Sequence, residues 1–171
     1  MALLQQVRMP QKRVTLQKGI VHSAGIAVAG LIAGAVSKLL DLYTTNLGNI
    51  FSQLSIWILI CSAIAVYSSN SKRAAINVFL FCAGMLGAYY LTAELTGSPY
   101  SFTFVCGWAV FSLFSPLFAF FTWYAKGKTM VSRLLSTGII VVMLLAAVVL
   151  FDGIRASDLI ITILTTVVLF T

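Results

Sequence analysis

The sequence predicts an all-α membrane protein, a polytopic helix bundle of about six transmembrane helices with its amino terminus in the cytoplasm. Three observations carry this. Hydrophobic residues make up 60% and charged residues 9% of the 171 residues, against roughly 45–50% and about 25% in soluble domains. A water-soluble fold of this size would have too little polar surface to cover such a core. Apolar runs of membrane-spanning length recur along the chain, and the charges between them alternate in sign from one connection to the next.

Residues 1–18 form a basic cytoplasmic tail, with Arg8, Lys12, Arg13 and Lys18 and no acid. The first apolar run, 19–40, is too long for a secretory leader and lacks a small-residue cleavage context, so it reads as a retained helix. Runs at 50–69, 74–95, 101–125 and 134–151 follow. Each approaches the ~17–25 residues that cross the hydrocarbon core as a helix. The last run, 157–171, is short: its apolar part from Leu159 covers only about 20 Å at ~1.5 Å per residue. It also lacks a basic or aromatic anchor at its far end, so it is expected to be cut short, tilted, re-entrant or completed by a partner. Residues 19–171 together make one transmembrane domain, with no room for a separate soluble domain.

The connections test this topology independently. With the amino terminus inside, the inner segments hold Arg8, Lys12, Arg13, Lys18, Lys72, Arg73, Lys126, Lys128 and Arg133, nine of the eleven bases and no acid. The outer segments hold Lys38 and Arg155 with all four acids, Asp41, Glu94, Asp152 and Asp158. The opposite orientation would violate the positive-inside bias. Aromatic residues agree, with Tyr67, Trp123 and Tyr124 at inner ends and Tyr43, Tyr89, Tyr90 and Tyr100 at outer ends, the depth that amphipathic rings prefer. Trp57 and Trp108 fall deeper and are expected to pack between helices.

Several function classes lack their residues. The net charge of +7 is distributed as a membrane topology signal, not as a nucleic-acid footprint, so no nucleic-acid partner is expected. His22 is the only histidine and no serine has a nucleophile context, while neither paired buried acids nor a His and Glu cluster is present for aspartyl or metal chemistry. There is no phosphate-binding glycine loop. The chain is therefore read as a non-enzyme without cofactor or metal. Cys61, Cys82 and Cys106 lie singly within apolar runs and read as small buried hydrophobes.

The first helix carries the clearest pattern. Gly25, Ala29, Ala33 and Ser37 recur every fourth residue, and Gly30 and Gly34 form a second row beside them. Small residues at this spacing let helix backbones approach closely. The same surface serves packing within the bundle or docking of a membrane-protein partner. Lys38 and Asp41 are spaced to pair across one turn as an interfacial anchor. Tyr90 and Glu94 share one helix face, and with Asp41 they are the candidate ligand-binding residues for a small solute or cation at the outer side. Asn77 and the Thr162, Thr165 and Thr166 group offer polar contacts between helices. Pro116 removes one backbone donor from the middle of the fourth run and is expected to kink it.

The segment 77–91, Asn-Val-Phe-Leu-Phe-Cys-Ala-Gly-Met-Leu-Gly-Ala-Tyr-Tyr-Leu, and the stretch from Ser115-Pro116 to Trp123-Tyr-Ala-Lys-Gly-Lys128 resemble a family of small multi-pass bacterial membrane proteins without assigned activity. That resemblance implies a bacterial plasma membrane and no particular functional residue. In architecture, six short helices with a small-residue first helix are similar to the substrate-binding subunits of energy-coupling vitamin transporters. The functional expectation is a transport-associated component for a small solute or ion, with a non-enzymatic scaffold or interaction subunit as the alternative.

Overall fold

In the computed structural model, residues 7–9, 15–51, 53–151 and 153–171 are described; residues 10–14 of the basic tail, with Lys12 and Arg13, and Asp152 of the outer acids lie outside them. Among the described residues every regular element is an α-helix: α1 Leu16–Tyr43, α2 Thr45–Phe51, α3 Leu54–Tyr67, α4 Ser71–Leu95, α5 Phe102–Ala125, α6 Met130–Phe151 and α7 Ala156–Phe170. Four of them, α1, α4, α5 and α6, are long and apolar enough to cross a membrane. Only 17% to 33% of their most apolar windows is buried inside the bundle, so most of that oily surface faces outward. Val28, Leu31, Ile32, Leu113, Leu117, Val142, Leu145 and Ile163 are among the exposed side chains. Water would leave such a belt far larger than the apolar patches soluble monomers carry, and its solvent is lipid. This is a membrane-embedded helical protein.

The helix boundaries depart from the apolar runs where local hydrogen bonds decide. The predicted run 50–69 is two helices, because the chain leaves α2 at Phe51 and re-enters a helix at Leu54. Gln53 stands in extended conformation between them. The Phe51 carbonyl freed by this break accepts a 2.8 Å hydrogen bond from Trp57 Nε1, which supports the turn where hydropathy alone reads one run. The first helix extends to Tyr43, and the fourth and sixth start at Ser71 and Met130, a few residues ahead of the apolar runs. Asn70 caps α4 by accepting from Arg73 N at 2.9 Å, which draws polar Ser71 and Lys72 into the first turn.

The core is built around α3, which touches α4, α5, α6 and α7. Trp57, Ala65, Ala74, Val78, Phe81, Cys82, Met85, Ala119, Trp123 and Tyr124 form its main cluster. Trp123 is 1% exposed and donates from Nε1 to Ser68 O at 2.8 Å. It is packed into the core in the last turn of α5, whereas Tyr67 remains exposed with Lys126 Nζ 4.3 Å from its ring centroid.

The short α7 lies along α3 from end to end. Asp158 accepts from Ser55 Oγ at 2.6 Å at one end, and Leu169 is buried with Val66 and Ala125 at the other. Its 15 residues and the 14 of α3 each cover about 21–22 Å at ~1.5 Å per residue. The last helix is therefore matched to a neighbour equally short. Asp158 also accepts from Arg155 N at 3.1 Å, so one buried carboxylate caps α7 and ties it to α3.

α1 packs chiefly on α4. A Cβ added at Gly30 would collide with the Phe81 carbonyl, and one at Gly34 with that of Met85. Gly84 answers from the other side, where a Cβ would stand 3.0 Å from Ala27 O. Backbone thus meets backbone, the contact that small residues at four-residue spacing allow.

α5 continues as one helix through Pro116. The carbonyl that loses its partner there is Ser112 O, and Ser115 Oγ donates to it at 2.8 Å. Hydroxyl repair of this kind is what lets proline sit inside a membrane helix. Asn77 bridges elements as expected, accepting from Ser23 Oγ at 2.6 Å and donating to Ser68 Oγ at 3.0 Å. Thr165 and Thr166 instead donate to carbonyls of their own helix at 2.8 Å, those of Ile161 and Thr162, so that cluster does not join helices.

At the basic end, Arg8 crosses under the bundle. Its Nη1 donates to Trp123 O at 2.6 Å and its Nη2 to Val66 O at 2.8 Å, and its guanidinium lies 4.3 Å from the Trp123 ring centroid. Both acceptors are in the last turns of α5 and α3, where carbonyls lack intrahelical partners and the helix dipole favours a cation. Burial pulls the Arg8 guanidinium below its usual range, yet an arginine retains its charge there.

Candidate functional site

At the opposite end the bundle opens. α4 terminates in a Schellman turn, with Ser98 N bonded to Ala93 O at 3.0 Å and Gly97 N to Glu94 O at 3.1 Å. Gly97 has φ of 60°, the left-handed conformation that favours glycine at this position. The turn sends Pro99, Tyr100 and Ser101 back over the helix ends, where they roof a cavity of about 800 Å³. α1 supplies Ser37, Lys38 and Asp41 to its wall, α2 and α3 supply Phe51, Leu54 and Trp57, and α4 supplies Met85, Leu86, Tyr89 and Tyr90. α5 completes it with Thr103, Phe104, Gly107, Trp108 and Phe111. From Ser101 to Phe111 the wall descends about 15 Å at ~1.5 Å per residue, half of a ~30 Å hydrocarbon core. A shallower apolar groove of about 430 Å³ on the outer face of α4 and α5 shares Leu86 and Tyr90 with it.

The wall is mostly aromatic. Phe51 meets Trp57 edge-on at 6.0 Å between centroids, Trp108 meets Phe111 at 5.6 Å, and Tyr90 stands at 5.2 Å from both Tyr89 and Tyr100. These edge-to-face arrangements are the ones ring quadrupoles favour. They hold the cavity open with rigid groups.

Its polar groups are few and placed. Lys38 is 4% exposed, with Nζ 3.7 Å from Asp41 Oδ2 and 5.2 Å from the centroid of the Tyr89 ring. Tyr89 Oη donates to the same Asp41 Oδ2 at 3.0 Å. Lys38 is thus a buried wall residue, not the solvated interfacial anchor that its position suggested. Ser37, 3% exposed, has a buried Oγ without a hydrogen-bond partner among the described residues. A buried hydroxyl left unpaired costs free energy, and this one stands on the cavity wall. Tyr100 Oη donates to Glu94 Oε1. That bond and the neighbouring carboxylate charge raise the phenol above its ordinary range, so Tyr100 remains a neutral donor.

Two of the three candidate ligand residues, Asp41 and Tyr90, come together in this wall. Glu94 does not reach it; the carboxylate stands exposed outside and holds Tyr100, which does. Asp41 and Glu94 each take a tyrosine hydroxyl, so the two acids do not converge on a shared cation position. The small residues of α1 divide by face: Gly30 and Gly34 are consumed by α4, Ser37 is a buried part of the cavity wall, and Ala33 is half-buried against the core. Gly25 and Ala29 are exposed, and a Cβ at Gly25 meets nothing within 4 Å.

Sequence reasoning passed over Lys38, Tyr89, Tyr100 and Trp108 as site residues. The available signal was a lysine within an apolar helix, rare enough to mark function by default, beside clustered aromatic residues at the same end. No family model, curated protein or solved structure matches the chain.

Proposed function

We propose that the protein crosses the membrane six times with its amino terminus in the cytoplasm, and that it binds a small solute in the cavity as a transport-associated component. The observation behind this reading is a chamber of about 800 Å³ whose aromatic wall carries one buried ammonium and one unpaired hydroxyl. Pockets of ~300–1,000 Å³ with apolar walls and a few placed polar groups are the usual form of small-ligand sites. A bundle that needed only to hold itself together gains nothing from it. The orientation follows from the bases Arg8, Arg73, Lys126 and Arg133 at one end of the helices and Asp41, Glu94 and Asp158 at the other. The cavity then faces the outer side.

The test is ligand-induced stabilisation of the purified protein in nanodiscs against a panel of small solutes. A saturable rise in unfolding midpoint in the parent, absent in Gly107→Leu, supports the reading, because a Cβ at Gly107 meets nothing within 4 Å and a longer side chain there fills the chamber. Identical behaviour of the two proteins removes it. Orientation is read from single cysteines in a background without Cys61, Cys82 and Cys106: an impermeant reagent should label position 97 on intact cells and spare positions 72 and 127.

The exposed Gly25 and Ala29 favour a second reading, a scaffold whose first helix docks a membrane partner through the face α4 leaves open. Ala29→Leu should then release a copurifying protein while Gly107→Leu leaves it bound.

A further inference from the structure

The polar groups of the cavity are selective about ligand charge, and we infer that its ligand is a small amphipathic monocarboxylate, seated by its carboxylate on Lys38 and Ser37 with its apolar body among the rings of Trp57, Phe104 and Trp108. This rests on the solute-binding reading of the same cavity and names its substrate class.

Four observations converge. Among the described residues Lys38 is the one cationic side chain in the wall, and it is 4% exposed. Its ammonium has three N–H donors, while the structure gives it a single ion pair, to Asp41 at 3.7 Å. Charge-assisted hydrogen bonds close to ~2.7–2.9 Å when they form fully, so this contact leaves the ammonium with donor capacity for a ligand. The adjacent wall residue, Ser37, has a buried hydroxyl without a partner among the described residues, which a small side-chain rotation would bring to a bound carboxylate. An ammonium and a hydroxyl on consecutive residues match the two oxygens of one carboxylate, and the ligand would supply the acceptor that Ser37 lacks.

A cationic ligand fits less well. Among the described residues Asp41 is the only acid in the wall, and it already receives Lys38 and Tyr89 Oη on the same oxygen. Its side chain is 36% exposed, so water screens it more than Lys38. The tyrosine hydroxyls at the rim are engaged as donors to Asp41 and Glu94. Beyond the hydroxyls of Tyr90, Ser101 and Thr103 the wall is aromatic and aliphatic, which asks for a hydrocarbon or aromatic body and disfavours a sugar or an inorganic anion.

The experiment uses three probes of one shape, 3-(4-bromophenyl)propionate, its amide and the corresponding amine, titrated into the full chain in nanodiscs. Bromine quenches tryptophan on contact, and Trp57 and Trp108 line the chamber. The carboxylate is expected to quench saturably and to bind at least about tenfold more tightly than the amide, the difference of roughly one charge-assisted bond, with the amine weakest. Lys38→Gln should bring the carboxylate down to the affinity of the amide while amide binding persists, which also reports that the variant is folded. Lys38→Arg should keep most of the preference, and Ser37→Ala should cost the carboxylate a few-fold. Equal affinities for all three probes, lost together in Gly107→Leu, would overturn the carboxylate assignment and leave the cavity reading standing. A tightest-binding amine would overturn it in favour of Asp41. Quenching that never saturates, or that Gly107→Leu does not change, would sink both.

Discussion

Along one helix pair, α1 and α4 behave in two opposite ways. From Ala27 to Gly34 the two backbones are in contact, with Phe81 and Met85 carbonyls filling the space where glycine lacks a Cβ. One turn further, at Ser37, Lys38 and Asp41, the same helices separate and their facing side chains become the wall of a cavity. The difference follows side-chain size: glycine at two successive i, i+4 positions allows backbone contact, while beyond them Lys38 and Asp41 meet Tyr89 through long side chains and the segment after Gly97 roofs the space. The closed half holds the bundle together by dispersion, since lipid offers no hydrophobic drive between helices. The open half is free to hold something else.

This contrast breaks most visibly at Gly34. Gly34→Leu drives a side chain into the Met85 carbonyl and should cost about 3 kcal/mol or more, at the upper end for overpacking, seen as loss of the monodisperse species on size exclusion and a collapsed unfolding midpoint. Gly107→Leu, the same enlargement in the open half, should leave the midpoint within about 1 kcal/mol of the parent or raise it. Equal damage from both substitutions would erase the distinction between halves.

The basic end sharpens it next. Arg8→Ala strips partners from two helix-terminal carbonyls and should lower stability by about 1–2 kcal/mol, measured by thermal unfolding in detergent. Arg8→Lys should recover less than half of that, because an ammonium cannot fork to two carbonyls or stack on Trp123 as a guanidinium does. Lys38→Met, by contrast, should change stability by no more than about 1 kcal/mol: removing one partner of a fully buried pair strands the other charge, but Asp41 is 36% exposed and water solvates the carboxylate left behind. A large loss would make Lys38 a structural strut instead of a ligand group.

The smallest effect is at the roof. Tyr100 has its ionisation raised by Glu94, so the bond is intact below the ordinary phenol range near pH ~10 and is lost as pH rises beyond the elevated value. Glu94→Gln should return one late-titrating tyrosine towards the ordinary range in a spectrophotometric titration, with no measurable change in the unfolding midpoint, as expected for an exposed pair.

Much of the scaffold was legible in the residues. Apolar length marks α1, α4, α5 and α6, and the clustering of bases and acids marks their two ends. The Gly30 and Gly34 row announced a close helix contact, which α4 makes. The break at Gln53 was not visible in hydropathy, because three polar residues at 52, 53 and 55 are too few to interrupt the run from Ile50 to Ser69, and the bond from Trp57 to Phe51 O shows why a helix ends inside it. Trp123 stands near the end of its run as expected, but its burial was not legible, since its partners Arg8 and Ser68 come from distant parts of the chain. Lys38 looked like an anchor because it stands near the end of its run, and the burial that makes it a site residue comes from Tyr89, fifty-one positions away.

The amino-acid sequence by itself determined the solvent of this protein, the helices that solvent requires and the charge borne at each end. Those properties are local: a backbone in lipid must bond within its own helix, whatever its neighbours are. Tertiary structure alone decided which small-residue row α4 occupies, that α7 is matched to the equally short α3, and that a lysine, an unpaired serine and a set of aromatic rings share one chamber. These depend on distances between helices remote in the chain, set by the packing of whole helix faces.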